Sequence, residues 1–246
     1  MTKLLPYLIV FFVGTITGFV DSTVGGGGMI SIPALIFLGL PPQIAVATDR
    51  LGTVGQVISA FPKYFQSKKI VWKYTIPFVV LSAIGALIGA HLLLSIETSI
   101  VQKTIAIISL LLLPSVLANL NSKVSHTSPI QKDLIGYFVR LILQLIQGFL
   151  GTGTGSLSTF TNLYFFKMTI VESIATGLIP SFILSVFSLS IFLYNGLVNL
   201  EFGIAIFAGM SIGGLIGSKF AVEYETNWIK YMFAVLVIIS SVRLLL

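Results

Sequence analysis

Two short stretches of this sequence place ionisable side chains inside apolar runs: "GFVDSTVGGGG", with Asp21, and "ATDRLGT", with Asp49 and Arg50. An acid or base in such a setting is costly and marks a functional site by default. A buried guanidinium can hold an oxyanion through two parallel hydrogen bonds, which makes Arg50 a candidate substrate contact. It can equally pair with Asp49 or snorkel to an interface. Asp21 and Asp49 are the candidates for carrying a coupling proton, although an aspartate here can also cap a helix or pair with Arg50. The residues alone leave these roles open.

Asp21 is followed by four consecutive glycines, Gly25, Gly26, Gly27 and Gly28. Glycine weakens a helix interior by about 1 kcal/mol relative to alanine, so four in a row predict a break. Backbone that leaves the helix within a bilayer is tolerated only where it is buried in protein or lines a cavity. A second stretch, "GTGTGS", offers Gly151, Thr152, Gly153, Thr154 and Ser156 for the same purpose. Helices starting near Met29 and Ser156 would point their N-termini, with free N–H groups and partial positive charge, at a common point. Such ends favour anions. Thr48, beside Asp49, and Gln147, one turn from Gln144, complete the candidate substrate contacts.

The elements that must hold these residues follow from composition. The 246 residues are 56% hydrophobic and 9% charged, with a mean hydropathy of +1.03. That is too little charge to cover a water-soluble globule, and the long apolar runs select an all-α polytopic membrane protein over a barrel. The net charge of +6 is scattered through short loops, so nucleic acid is not expected as a partner. Cysteine is absent, which excludes disulfides, thiolate metal sites and cysteine nucleophiles. His91 and His126 fall at a helix end and in a linker; no cofactor, metal or catalytic residue is read. The apolar N-terminal run lacks a small-x-small cleavage site and reads as a retained first helix.

Apolar runs predict helical segments near 5–22, 29–40, 43–62, 74–93, 98–118, 133–150, 156–167, 170–194, 200–218 and 227–246. The segments 29–40 and 156–167 are too short to span, since twelve residues rise about 18 Å against a hydrocarbon core of about 30 Å. They occupy matching places in an internal repeat. A shift of 128 lays "GALIG" at Gly85 on "GGLIG" at Gly213, and Ala47-Thr48 on Ala175-Thr176; near the glycines the shift is 126. The expected organisation is an N-terminal repeat at 1–120, a polar linker at 121–133 and a C-terminal repeat at 134–246. The two "G-x-L-I-G" stretches read as close-packing seams.

If each short segment forms a re-entrant pair with the helix before it, each half crosses three times and the repeats are inverted; if the pair makes one broken span, they are parallel. The loop at 62–73 carries Lys63, Lys68, Lys69 and Lys73, while its counterpart near 193–201 carries none. Opposite charge bias favours inversion, with both termini outside. In that arrangement ten basic residues, Arg140 among them, count as inside charges, against three outside.

The series "GFVDSTVGGGGMISIPALIFLGLPPQIAVATDRLGT", with the glycine-rich copy in the second half, resembles the TauE/SafE sulfite-exporter family, also called the TSUP membrane transporters. The resemblance covers nearly the whole chain. It implies a multi-pass protein of the bacterial inner membrane that moves small sulfur-containing anions such as sulfite or organosulfonates. In similar sequences the basic residue after Ala-Thr-x is often Lys preceded by Asn, where this chain has Asp49-Arg50, and Gly151–Gly155 departs from a plain glycine run. The expected partners are therefore a small anionic substrate and the lipid bilayer; oligomeric state is not legible. A passive channel using the same polar residues, a structural subunit, and an intramembrane aspartyl protease built on Asp21 and Asp49 are the competing readings.

Overall fold

The computed structural model describes residues 4–117, 130–151, 154–224 and 238, and among these every element is a helix. In chain order they are α1 (Leu5–Thr23), α2 (Gly28–Phe37), α3 (Pro42–Gln66), α4 (Trp72–Ser95), α5 (Thr98–Leu117), α6 (Ile130–Leu150), α7 (Thr154–Phe165), α8 (Ile170–Tyr194) and α9 (Leu200–Glu223). Most of the expected segment at 227–246 and most of the polar linker lie outside the described residues.

Local chemistry sets these boundaries. Pro42 supplies the preformed φ of a first helical position in α3, and Thr169 with Glu172 closes a reciprocal capping box on α8. Gly39 and Gly196 end α2 and α8 with φ of +98° and +66°, a left-handed conformation that glycine adopts without a Cβ penalty. Four boundaries differ from the sequence expectation by three residues or more; α2 stops early at Phe37 and α9 runs on to Glu223. Helix α3 continues beyond Pro62 to Gln66, and α6 begins at Ile130, inside the polar stretch.

Five described helices are long and apolar enough to cross a membrane: residues 5–23, 72–95, 132–150, 170–194 and 200–223. The chain is a multi-pass membrane protein. Helix α3 has 25 residues, but Asp49, Arg50 and Lys63 lower its hydropathy. Helices α2 and α7 have 10 and 12 residues, about 15 and 18 Å of rise, and cannot span. Exposed apolar side chains such as Leu8, Phe12 and Ile16 on α1, and Ile76, Val80 and Ile84 on α4, form stripes suited to lipid.

The seams are made by glycine, as the "G-x-L-I-G" stretches predict. A Cβ on Gly213 would lie 2.1 Å from the Thr15 carbonyl oxygen, and one on Gly217 2.6 Å from that of Phe19, so α9 touches α1 backbone to backbone. In the second seam a Cβ on Gly85 would lie 2.5 Å from the Gln144 oxygen, and one on Gly148 2.0 Å from the Gly85 oxygen, joining α4 to α6. Residue numbers rise together along both seams, so each pair runs in the same direction. Helix α3 also runs with α9, from Gly52 against Met210 to Lys63 paired with Glu223 at 2.8 Å.

Two hydrogen bonds fix how α3 lies against α8. The N–H of Asn199, just past α8, donates to Thr48 Oγ1 near the start of α3 at 3.1 Å; the N–H of Val71, just past α3, donates to Thr176 Oγ1 near the start of α8 at 3.0 Å. Each helix therefore ends beside the start of the other. Residues 71 and 199, like 48 and 176, are 128 apart.

Candidate functional site

The chain reverses at two glycine turns. Gly25 and Gly26 have φ of +80° and +89°, and Gly151 has φ of +80°. A Cβ on Gly25 would lie 2.9 Å from the Gly155 carbonyl carbon, and one on Gly155 2.6 Å from the Gly26 nitrogen, so the turn after α1 abuts the start of α7. This approach is open only to glycine. Beside it lies a polar cavity of about 90 Å³. By the measure in which one water needs at least about 10–15 Å³, this holds several waters or one small anion.

Four helices present polar residues to the cavity at helical spacing. Asp49, Arg50, Thr53 and Gln56 come from α3; Arg140, Gln144 and Gln147, with Gly151 just past the helix end, come from α6. Ser158, Thr159 and Asn162 come from α7, and Ser173, Gly177 and Ser181 from α8. Asp21 from α1, with Gly25, Gly26 and Gly28, completes the wall.

Asp21 accepts two backbone hydrogen bonds at the turn that follows α1. The N–H groups of Gly26 and Gly27 donate to its Oδ1 at 2.8 and 2.9 Å, while those of Met29 and Ile30 donate to the Gly26 and Gly27 carbonyls. The start of α2 was expected to offer free donors to a substrate. Most of them are taken, two by the Asp21 carboxylate and two by the backbone carbonyls of the turn. Asp49 accepts from the Ser31 hydroxyl of α2 through its Oδ1.

Arg50 is fully buried. Its Nη2 donates to the Gln147 carbonyl, while Nε and Nη1 have no protein partner. No carboxylate oxygen of the described residues lies within 4 Å of it, so the expected alternative of a direct pair with Asp49 is not formed. Burying unpaired donors costs about 1–3 kcal/mol each, more when the group is charged. A ligand accepting from these atoms would offset that.

Other polar side chains brace the walls. Gln56 Nε2 donates to Ser22 Oγ at 2.6 Å and the Tyr64 hydroxyl donates to the Ser22 carbonyl, tying α3 to the end of α1. Gln144 Nε2 donates to Ser82 Oγ at 2.6 Å and Asn162 Nδ2 to Ser173 Oγ at 2.8 Å. Gln144 and Asn162 each leave the carbonyl oxygen without a partner among the described residues.

Of the candidate substrate contacts, Gly25, Gly26, Gly28, Arg50, Gln147 and Gly151 line the cavity. Gly27 stands behind it, packed 2.4 Å from the Thr17 oxygen if given a Cβ. Thr48 is buried but holds the loop before α9, and Thr154 donates to Gln147 Oε1 at 3.0 Å from behind the wall. Ser156 is buried without lining the cavity. Thr152 and Gly153 lie outside the described residues.

Arg140 corrects the sequence reading, which counted it among the loop charges. It lies in the eleventh position of α6, is 3% exposed and stacks its guanidinium over the Phe78 ring at 4.3 Å from the centroid. Its Nε has no partner. A signal for it is present: residues 140, 144, 147 and 151 fall on one helical face, and only this face of α6 is polar throughout.

Comparison with known proteins places the chain. The family model described as sulfite exporter TauE/SafE matches residues 10–244. A "probable membrane transporter protein" of Haemophilus influenzae is 28% identical over 240 residues, covering 96% of this chain and 93% of that one. "Probable membrane transporter protein ORF9" of a Sinorhizobium species is 29% identical, with 96% and 90% covered. "Probable membrane transporter protein YunE" of Bacillus subtilis is 22% identical, with 98% of each chain covered. No solved structure matches.

Proposed function

Since the chain belongs to the TauE/SafE sulfite-exporter family and is a membrane transporter, we propose that it carries small sulfur-containing anions, sulfite or sulfonates, across the bacterial inner membrane. The observation that carries this is Arg50: a fully buried guanidinium, with two nitrogens unpartnered, facing a cavity of anion size between two glycine turns.

The transport cycle in this reading is alternating access about a site at the repeat interface. Helices α1, α3 and α9 begin at one end of the molecule, and α2 returns toward that end to reach α3 through residues 38–41, which supports a re-entrant α1–α2 pair. The exchange of ends between α3 and α8 supports inverted repeats. Asp21 and Asp49 line the same cavity as Arg50 and are the groups through which a proton would be coupled. The two acids are each held by other donors, Asp21 by backbone and Asp49 by Ser31, which suits a carrier better than a proteolytic acid pair.

The test is thermal stabilisation of purified protein by sulfite, sulfate, thiosulfate, sulfoacetate, taurine and lactate. A ligand at a hundred times its Kd adds about 2.7 kcal/mol to the native state. A shift with the sulfur anions that disappears in Arg50→Ala is expected. Normal binding and transport by well-folded Arg50→Ala would remove the site assignment. A passive channel is separated by pre-loading liposomes with unlabelled substrate, since only a carrier then accelerates uptake of label.

A further inference from the structure

We propose that Arg140 is a second substrate contact, and that Arg140 and Arg50 together select three-oxygen head groups over carboxylates. The inference rests on the anion-carrier reading above and concerns how the same cavity discriminates among anions.

Arg140 shares the physical marks of Arg50 through a different set of neighbours. It is buried at 3% exposure, lines the same cavity and has an unpartnered Nε. No carboxylate of the described residues lies within 4 Å of it. Its guanidinium lies over the face of Phe78, whose ring is packed by Tyr74, Tyr137 and Phe166 at centroid distances of 6.2, 6.0 and 5.2 Å. A cation over a ring is attracted by the quadrupole, but a ring face accepts nothing in the guanidinium plane, and Nε has no partner among the described residues. The stack orients a guanidinium without satisfying it.

The oxygen count of the ligand then decides what two forks can do. A carboxylate has two oxygens, and one guanidinium can engage both in parallel. A sulfonate or sulfite carries a third oxygen pointing away from that fork, which needs a separate donor. Arg50 on α3 and Arg140 on α6 line the same cavity from different helices, and a head group held by both would place its third oxygen on the second fork. Neither arginine has a basic counterpart in the other repeat: Leu178 matches Arg50 and Gly14 matches Arg140. The pair is therefore a feature of the assembled site and not of either repeat.

Methanesulfonate and acetate test this directly, because both carry one charge and one methyl group and they differ in head-group oxygens. Binding of each to the purified full chain is measured by calorimetry, for wild type, Arg140→Gln, Arg140→Lys and Phe78→Leu. Wild type is expected to prefer methanesulfonate. Arg140→Gln should weaken methanesulfonate about tenfold to a hundredfold, the range of a charge-assisted hydrogen bond, while acetate changes little, so that the preference collapses. Arg140→Lys keeps the charge but loses the fork, and should restore only part of the preference. Phe78→Leu removes the stack and should weaken methanesulfonate several-fold even if Arg140→Gln does not fold.

A merely structural Arg140 would lower thermal stability in these variants while leaving the ratio of the two affinities unchanged; that result overturns the proposal and leaves the carrier reading standing. If wild type binds neither methanesulfonate nor sulfite, the anion-carrier reading falls and this one with it.

Discussion

At the residue scale, a side chain can occupy an anion site and thereby decide what remains for the substrate. Asp21 Oδ1 accepts two backbone N–H groups at the α1–α2 turn. Asp21→Ala leaves both donors buried without a partner, at about 1–3 kcal/mol each. Its melting temperature in detergent should drop clearly below wild type. Asp21→Asn keeps an acceptor oxygen and should lose less stability, but it cannot take up a proton. If Asp21 couples protons, sulfite uptake by Asp21→Asn liposomes no longer responds to an imposed pH gradient; an unchanged response moves coupling to Asp49 or removes it. Asp21, Asp49 and Arg50 were legible in the sequence because charge inside an apolar run is conspicuous. Arg140 was not, because an arginine eleven residues into a helix near a polar linker resembles a flanking charge until its face is compared with Gln144 and Gln147.

At the element scale, glycines with opposite requirements share one fold. Gly148 sits where a Cβ would be 2.0 Å from the Gly85 oxygen. Gly148→Ala should force α4 and α6 apart and cost about 1–3 kcal/mol or more, the usual penalty of overpacking, read as a lower melting temperature. Gly177 lies inside α8, lines the cavity and has nothing within 4 Å of where its Cβ would be. Gly177→Ala should raise stability by up to about 1 kcal/mol through helix propensity while narrowing the cavity by a methyl group. Higher melting temperature with slower transport of the larger sulfonates is the expected pairing. The short helices and glycine seams were readable because length and glycine spacing are local properties. The occupied start of α2 was not, since it depends on Asp21 reaching back across a turn that only tertiary structure defines.

At the scale of the whole molecule, orientation is open to a direct test that the sequence makes convenient. The chain has no cysteine, so each introduced one is a single reporter. Ser67→Cys, beside the lysines that follow α3, is expected to react with an impermeant thiol reagent only from the cytoplasmic face, by the positive-inside rule. Asn195→Cys, after α8, is expected to react only from the opposite face. Labelling of both from one side would make the repeats parallel. Loop charge alone is a weak guide to orientation, because several of the charges it counts, Arg140 first among them, are not in loops.

The two glycine seams join helices from different halves: α1 of the first to α9 of the second, and α6 of the second to α4 of the first. The polar linker thus divides the sequence without dividing the core. A half-length chain of this design would leave the small-residue face of its own first helix uncovered. It could close that face only against helices of a second copy, so a freestanding half is expected to dimerise.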